Sequence, residues 1–108
     1  MNKQDIISIP HDEIMDEAIE TFGEEYQIDR FIEEATELIQ ALLRNRRVEG
    51  HHTRDEIQAN IQEEIGDTII TLAQVIKIHG DPKIIKANMA EKIQNLETKI
   101  QEKKQTTG

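Results

Sequence analysis

Glu33-Glu34-Ala35-Thr36-Glu37 and Glu63-Glu64-Ile65-Gly66-Asp67 set two acidic groups of matching spacing into one chain. On a helix, residues three apart project about 60° from each other. Glu34 with Glu37, and Glu64 with Asp67, would then each form a pair on one side of their helix. Like charges at this spacing cost a few tenths of a kcal/mol, and the second pair has no in-helix cation to offset it. Asn60 and Thr68 stand four residues either side of Glu64, and Glu63 and Thr71 either side of Asp67. A divalent cation held between the pairs reverses the sign of that interaction. Mg²⁺ suits such a set, because it takes hard oxygen ligands, keeps several waters and is typically held by carboxylates together with substrate phosphates. Gly66 lies between the two acids and costs about 1 kcal/mol relative to alanine in a helix, a cost that close approach of a helix or substrate there would explain. The competing reading is a solvated acidic face. An Arg30–Glu34 pair at i,i+4 accounts for part of the first group on those terms, but not for Glu33 and Glu37.

The elements that must position these acids follow from apolar spacing and from the prolines and glycines. Residues 1–9 read as a short arm. Pro10 suits a first helical turn, and Ile14, Ala18, Ile19 and Phe22 recur at helical spacing up to Gly23, a C-terminal cap. This gives a first helix over 10–22. From 25 to 46, Ile28, Phe31, Ile32, Ala35, Leu38, Ile39, Leu42 and Leu43 follow the i, i+3, i+4, i+7 pattern of a second. After a polar, partly basic connection, Thr53-Arg54-Asp55-Glu56 reads as a capping box. The third helix then carries Ile57, Ile61, Ile65, Thr68, Leu72, Val75 and Ile76 on its apolar face up to Gly80. Asp81-Pro82 opens a fourth, with Met89, Ile93, Leu96 and Ile100 at 4-3-4 spacing and a tail, 103–108, expected to fray. Strict alternation is absent from every long segment, so the expected fold is all-α, one domain of four helices and no sheet.

Composition bounds the chemistry. The chain has 108 residues with 22 Asp+Glu against 13 Lys+Arg, a net charge of −9. Such a balance repels phosphate backbones and anionic lipid, which argues against nucleic-acid and membrane partners. There is no cysteine, and hence no disulfide, thiolate metal site or cysteine nucleophile. With no long apolar stretch and no basic-plus-apolar start, a cytoplasmic location is expected. A small amphipathic helical chain buries a modest fraction of its surface alone, so a homo-oligomer is expected too. Three aromatics, Phe22, Tyr26 and Phe31, read as core rather than as a stacking platform, and Gln27 is a candidate for reading a base. His51-His52 reads as an exposed loop, His79 as a helix-end cation, and Arg44, Arg46 and Arg47 as a basic last turn. The only Glu-x-x-His is Glu49-x-x-His52 across a glycine, which does not match a di-iron bundle.

The two acidic groups, Glu33-Glu34-x-x-Glu37 followed by Glu64-x-x-Asp67, resemble the motif of the MazG-like, all-α nucleoside triphosphate pyrophosphohydrolases. The likeness runs from Phe22-Gly23-x-x-x-Gln27 through Lys92-x-x-x-Leu96, most of residues 20–100, and is strongest to the short members of phages and Gram-positive bacteria. It implies a four-helix bundle completed as a homodimer or homotetramer. It also implies Mg²⁺, with Mn²⁺ as a substitute, on Glu34, Glu37, Glu64 and Asp67, with Glu33 as an auxiliary catalytic carboxylate and Glu37 as ligand or general base. The implied reaction converts an NTP or dNTP to the monophosphate and pyrophosphate, with Lys92, Gln27 and Arg30 as substrate contacts. The chain departs from the short members at Asn95 and Lys99, where they tend to carry arginines. The alternatives are a helical interaction module that keeps the fold without catalysis, or a sister activity such as cleavage of phosphoribosyl-ATP.

Overall fold

Helix signals are dense in this sequence, and the computed structural model, which describes residues 12–47 and 53–107, converts them into four helices and no strand among those residues. They are α1 (Asp12–Phe22), α2 (Glu24–Arg47), α3 (Arg54–His79) and α4 (Pro82–Thr107). Pro10, the 1–9 arm and the His51-His52 pair lie outside the described residues.

The boundaries have local causes. Gly23 has φ +95° and donates its N–H to Ile19 O at 2.8 Å, closing α1 in a conformation that costs glycine little. Thr53 caps α3, its hydroxyl accepting from Glu56 N at 3.1 Å. Asp81 does the same for α4, accepting from Lys83 N at 3.1 Å and Ile84 N at 3.4 Å. Residues 103–107, expected to fray, continue α4 instead. Lys104 favours the negative end of the helix dipole there, and the Thr106 hydroxyl donates to Lys103 O at 2.9 Å.

α2 and α3 form an antiparallel hairpin, the main packing unit of the chain. Its seam holds Ala41, 1 % exposed, with Ile57 and Ile61. α1 crosses the open end of the hairpin. There Met15 is buried and accepts from Gln74 Nε2 at 3.6 Å, while Lys77 pairs with Asp16 at 3.0 Å and Asp12 at 3.4 Å. The Lys77 ammonium is held above its ordinary range, chiefly by its hydrogen bond to Asp16.

The expected bundle of four is not closed within one chain. α4 packs along none of the other helices, and Ile84, Met89, Ile93, Leu96 and Ile100 are all exposed. The radius of gyration, 17.6 Å, exceeds the about 13 Å of a compact chain of this length. Of the three aromatics expected in the core, Phe22 and Tyr26 touch at 5.4 Å between ring centroids but are both exposed, and Phe31 is half-buried. Ile65, Leu72 and Ile76 of the expected α3 core are also exposed, since the seam takes up Ile57 and Ile61 and leaves the adjoining side open. No helix among the described residues is long and apolar enough to cross a membrane.

Candidate metal centre

α2 and α3 both turn an acidic stripe into their common seam. Glu34 is buried on the line that carries Gln27 and Ala41, and Glu64 on the line that carries Ile57 and Thr71. Thr68 locks the register beside them, its hydroxyl lying 2.6 Å from Glu64 O and 3.3 Å from Glu34 O. One carboxylate oxygen each from Glu34, Glu37 and Glu64 falls within 4.8 Å of the others. Asp67 stands outside that group but close enough for its charge to act on both Glu34 and Glu64.

Burial makes this arrangement costly as it stands. Glu34 and Glu64 are 5 % and 8 % exposed, and the Oε2 atom of each is buried without a hydrogen-bond partner. A buried acceptor left unmatched costs about 1–3 kcal/mol, more when charged. Both carboxyls are pushed above the ordinary Glu range. For Glu34 the leading cause is desolvation, followed by the charges of Glu37 and Asp67, with Arg30 acting in opposition. For Glu64 it is again desolvation, then Glu37, Glu34 and Asp67, and a hydrogen bond that protonated Glu64 donates to Glu37. Two like-charged, desolvated carboxylates beside a third make up an oxygen donor set that would suit a hard cation.

The other sequence candidates divide. Arg30 is at the site, 3.0 Å from Glu34 Oε1 and 3.5 Å from Glu33 Oε2. Glu33 is exposed and joins the cluster only through that arginine. Gln27 is buried two turns before Glu34, and Lys92 is exposed on α4 and not gathered with the acids. Gly66 does not mark a close approach in this chain: a Cβ there meets nothing within 4 Å, because the residue lies on the side of α3 turned from α2. Helical spacing did not single out the cross-hairpin tie from Arg44 Nη1 to Asn60 Oδ1 at 3.1 Å, two turns beyond Glu37.

Comparisons with protein-family models, curated proteins and solved structures give no match to this chain.

Proposed function

We propose that this chain is a cytoplasmic, Mg²⁺-dependent nucleoside triphosphate pyrophosphohydrolase working as a homodimer or homotetramer. The observation that carries the reading is the convergence of Glu34, Glu37 and Glu64 with two buried, unmatched carboxylate oxygens. Glu34, Glu37 and Glu64 would hold the ion, with Asp67 beside them. When bound, Mg²⁺ neutralises the triphosphate, orients it and lowers the pKa of a water.

The chain's own groups do the rest. In this reading Glu37, exposed where its two partners are buried, would take the proton of a water attacking the α-phosphorus. The new bond joins that water oxygen to phosphorus; the bond from phosphorus to the α,β-bridging oxygen breaks and pyrophosphate leaves. Arg30 holds one oxygen of Glu34, fixing how that carboxylate is presented, and Glu33 holds the other side of the guanidinium.

The exposed apolar stripe of α4, with Ile32, Ile39 and Leu42 on α2, supports assembly with further copies. Lys92, exposed on α4, would contact the triphosphate. The same stripe also favours the second reading, a helical interaction module without catalysis. Pyrophosphate release from a panel of ribo- and deoxyribonucleoside triphosphates and phosphoribosyl-ATP, in Mg²⁺, Mn²⁺ or EDTA, separates the two. Metal-dependent pyrophosphate plus monophosphate is expected; a folded protein silent across the panel refutes the enzyme reading.

A further inference from the structure

We infer that α4 is an exchanged arm: it lies across the apolar side of the α2–α3 hairpin of a second copy of this chain, and that copy's α4 lies reciprocally across the hairpin of the first. The inference rests on the assembly proposed above and not on catalysis. Two residues, Gly80 and Asp81, join α3 to α4. A connection that short ordinarily folds the next helix back antiparallel on the one before, yet α4 packs along none of α1, α2 or α3. The corner is tight: Gly80 donates to Ile76 O at 2.7 Å, and a Cβ on Gly80 would lie 2.5 Å from that oxygen. Short, tight connections are where exchange of an element between copies arises.

The surfaces to be joined match in position, length and charge. On α2, Ile32, Ile39 and Leu42 are rotated to one side of the buried line of Gln27, Glu34 and Ala41. On α3, Ile65, Leu72 and Ile76 are rotated in the same sense from Ile57, Glu64 and Thr71. In an antiparallel pair the same sense of rotation leads to the same side, so these six exposed residues share one side of the hairpin, and Glu37 and Asp67 are rotated to the other. The patch runs about 15–17 Å along each helix, and Met89, Ile93, Leu96 and Ile100 form an exposed stripe of about 17 Å on α4. Charge decides between a hairpin and another α4 as the occupant. α4 carries six lysines and three glutamates, whereas α1, α2 and α3 together carry sixteen carboxylates against six lysines and arginines. Two α4 helices side by side would repel, while α4 on the acidic body of a second copy is attracted. Reciprocal exchange covers both apolar surfaces twice, closes at two copies under two-fold symmetry, and leaves the side that carries Glu37 and Asp67 open.

The test takes two variants and their mixture, Leu96→Asp on the α4 stripe and Leu72→Asp on the hairpin, read by sedimentation velocity with circular dichroism as the check on helicity. The wild type should be a dimer or a larger even-numbered assembly. Each variant alone loses both contacts of the pair and should run as a monomer. Their equimolar mixture should form dimers again, because one of its two contacts joins an intact α4 to an intact hairpin. If an aspartate variant loses helicity, Leu96→Ala and Leu72→Ala give the same reading, each weakening self-association by about 10- to 100-fold per contact, with partial recovery in the mixture. A variant that stays assembled alone, or a mixture that stays monomeric, overturns the exchange and leaves assembly of the wild type standing. A monomeric wild type overturns both, while pyrophosphate release tests catalysis separately.

Discussion

Replacing Glu64 with glutamine should strengthen the metal-free protein and at the same time abolish its response to Mg²⁺. Glu64 lies within 4.8 Å of oxygens of both Glu34 and Glu37. Two charges at that outer separation repel by roughly 3.5 kcal/mol at an effective dielectric of about 20, and by more if closer. Burial raises the Glu64 carboxyl, so protonation sheds part of that repulsion; relieving its unmatched buried Oε2 is expected to gain about 1–2 kcal/mol. Glutamine keeps the shape and donates its N–H to Glu37. For a domain of this size the gain is a rise in Tm of about 5–15 °C. In the wild type, Mg²⁺ at 100 times its Kd adds about 2.7 kcal/mol, a further rise of about 10–20 °C. Glu64→Gln should lose it. The assay is thermal unfolding by circular dichroism with EDTA and across an Mg²⁺ titration. A variant that melts below the wild type in EDTA, or that keeps the Mg²⁺ shift, refutes the electrostatic argument and the ligand assignment respectively.

Because folded Glu34 and Glu64 hold protons that the unfolded chain releases near 4.5, metal-free stability should fall as pH rises from about 4.5 through their raised values. A urea-midpoint series in EDTA that rises over that window contradicts the assigned shifts; with Mg²⁺ the slope should reverse, since the metal needs both groups ionised. Thr53→Ala removes the α3 cap and should cost about 1 kcal/mol by urea unfolding; an unchanged midpoint would mean that the cap carries no stability. Gly66→Ala faces open space and should stabilise by about 0.5–1 kcal/mol, whereas a loss would place a second copy against that side of α3.

Local chemistry was the legible part of this chain. Glycine at a positive φ after Phe22, a hydroxyl before Arg54 and a carboxylate before Pro82 each act within a few residues, and each ends or starts a helix where spacing predicts. The acidic pairs were legible for the same reason, as a consequence of helical rotation. What joins distant residues was not. Periodicity reports that α4 has an apolar side, not what covers it, and the same holds for exposed Phe22 and Ile76. The burial of Gln27 and Gln74 runs against their polarity. Arg44 looked like an ordinary basic last turn, and only the fold shows its tie across the hairpin to Asn60.

The most direct test is hydrolysis of an equimolar mixture of the four deoxyribonucleoside triphosphates in H₂¹⁸O with Mg²⁺, read by ³¹P NMR. Attack at the α-phosphorus predicts ¹⁸O in the monophosphate, unlabelled pyrophosphate, and no turnover in EDTA. Label in pyrophosphate, release of diphosphate and inorganic phosphate, or no turnover with Mg²⁺ would contradict it.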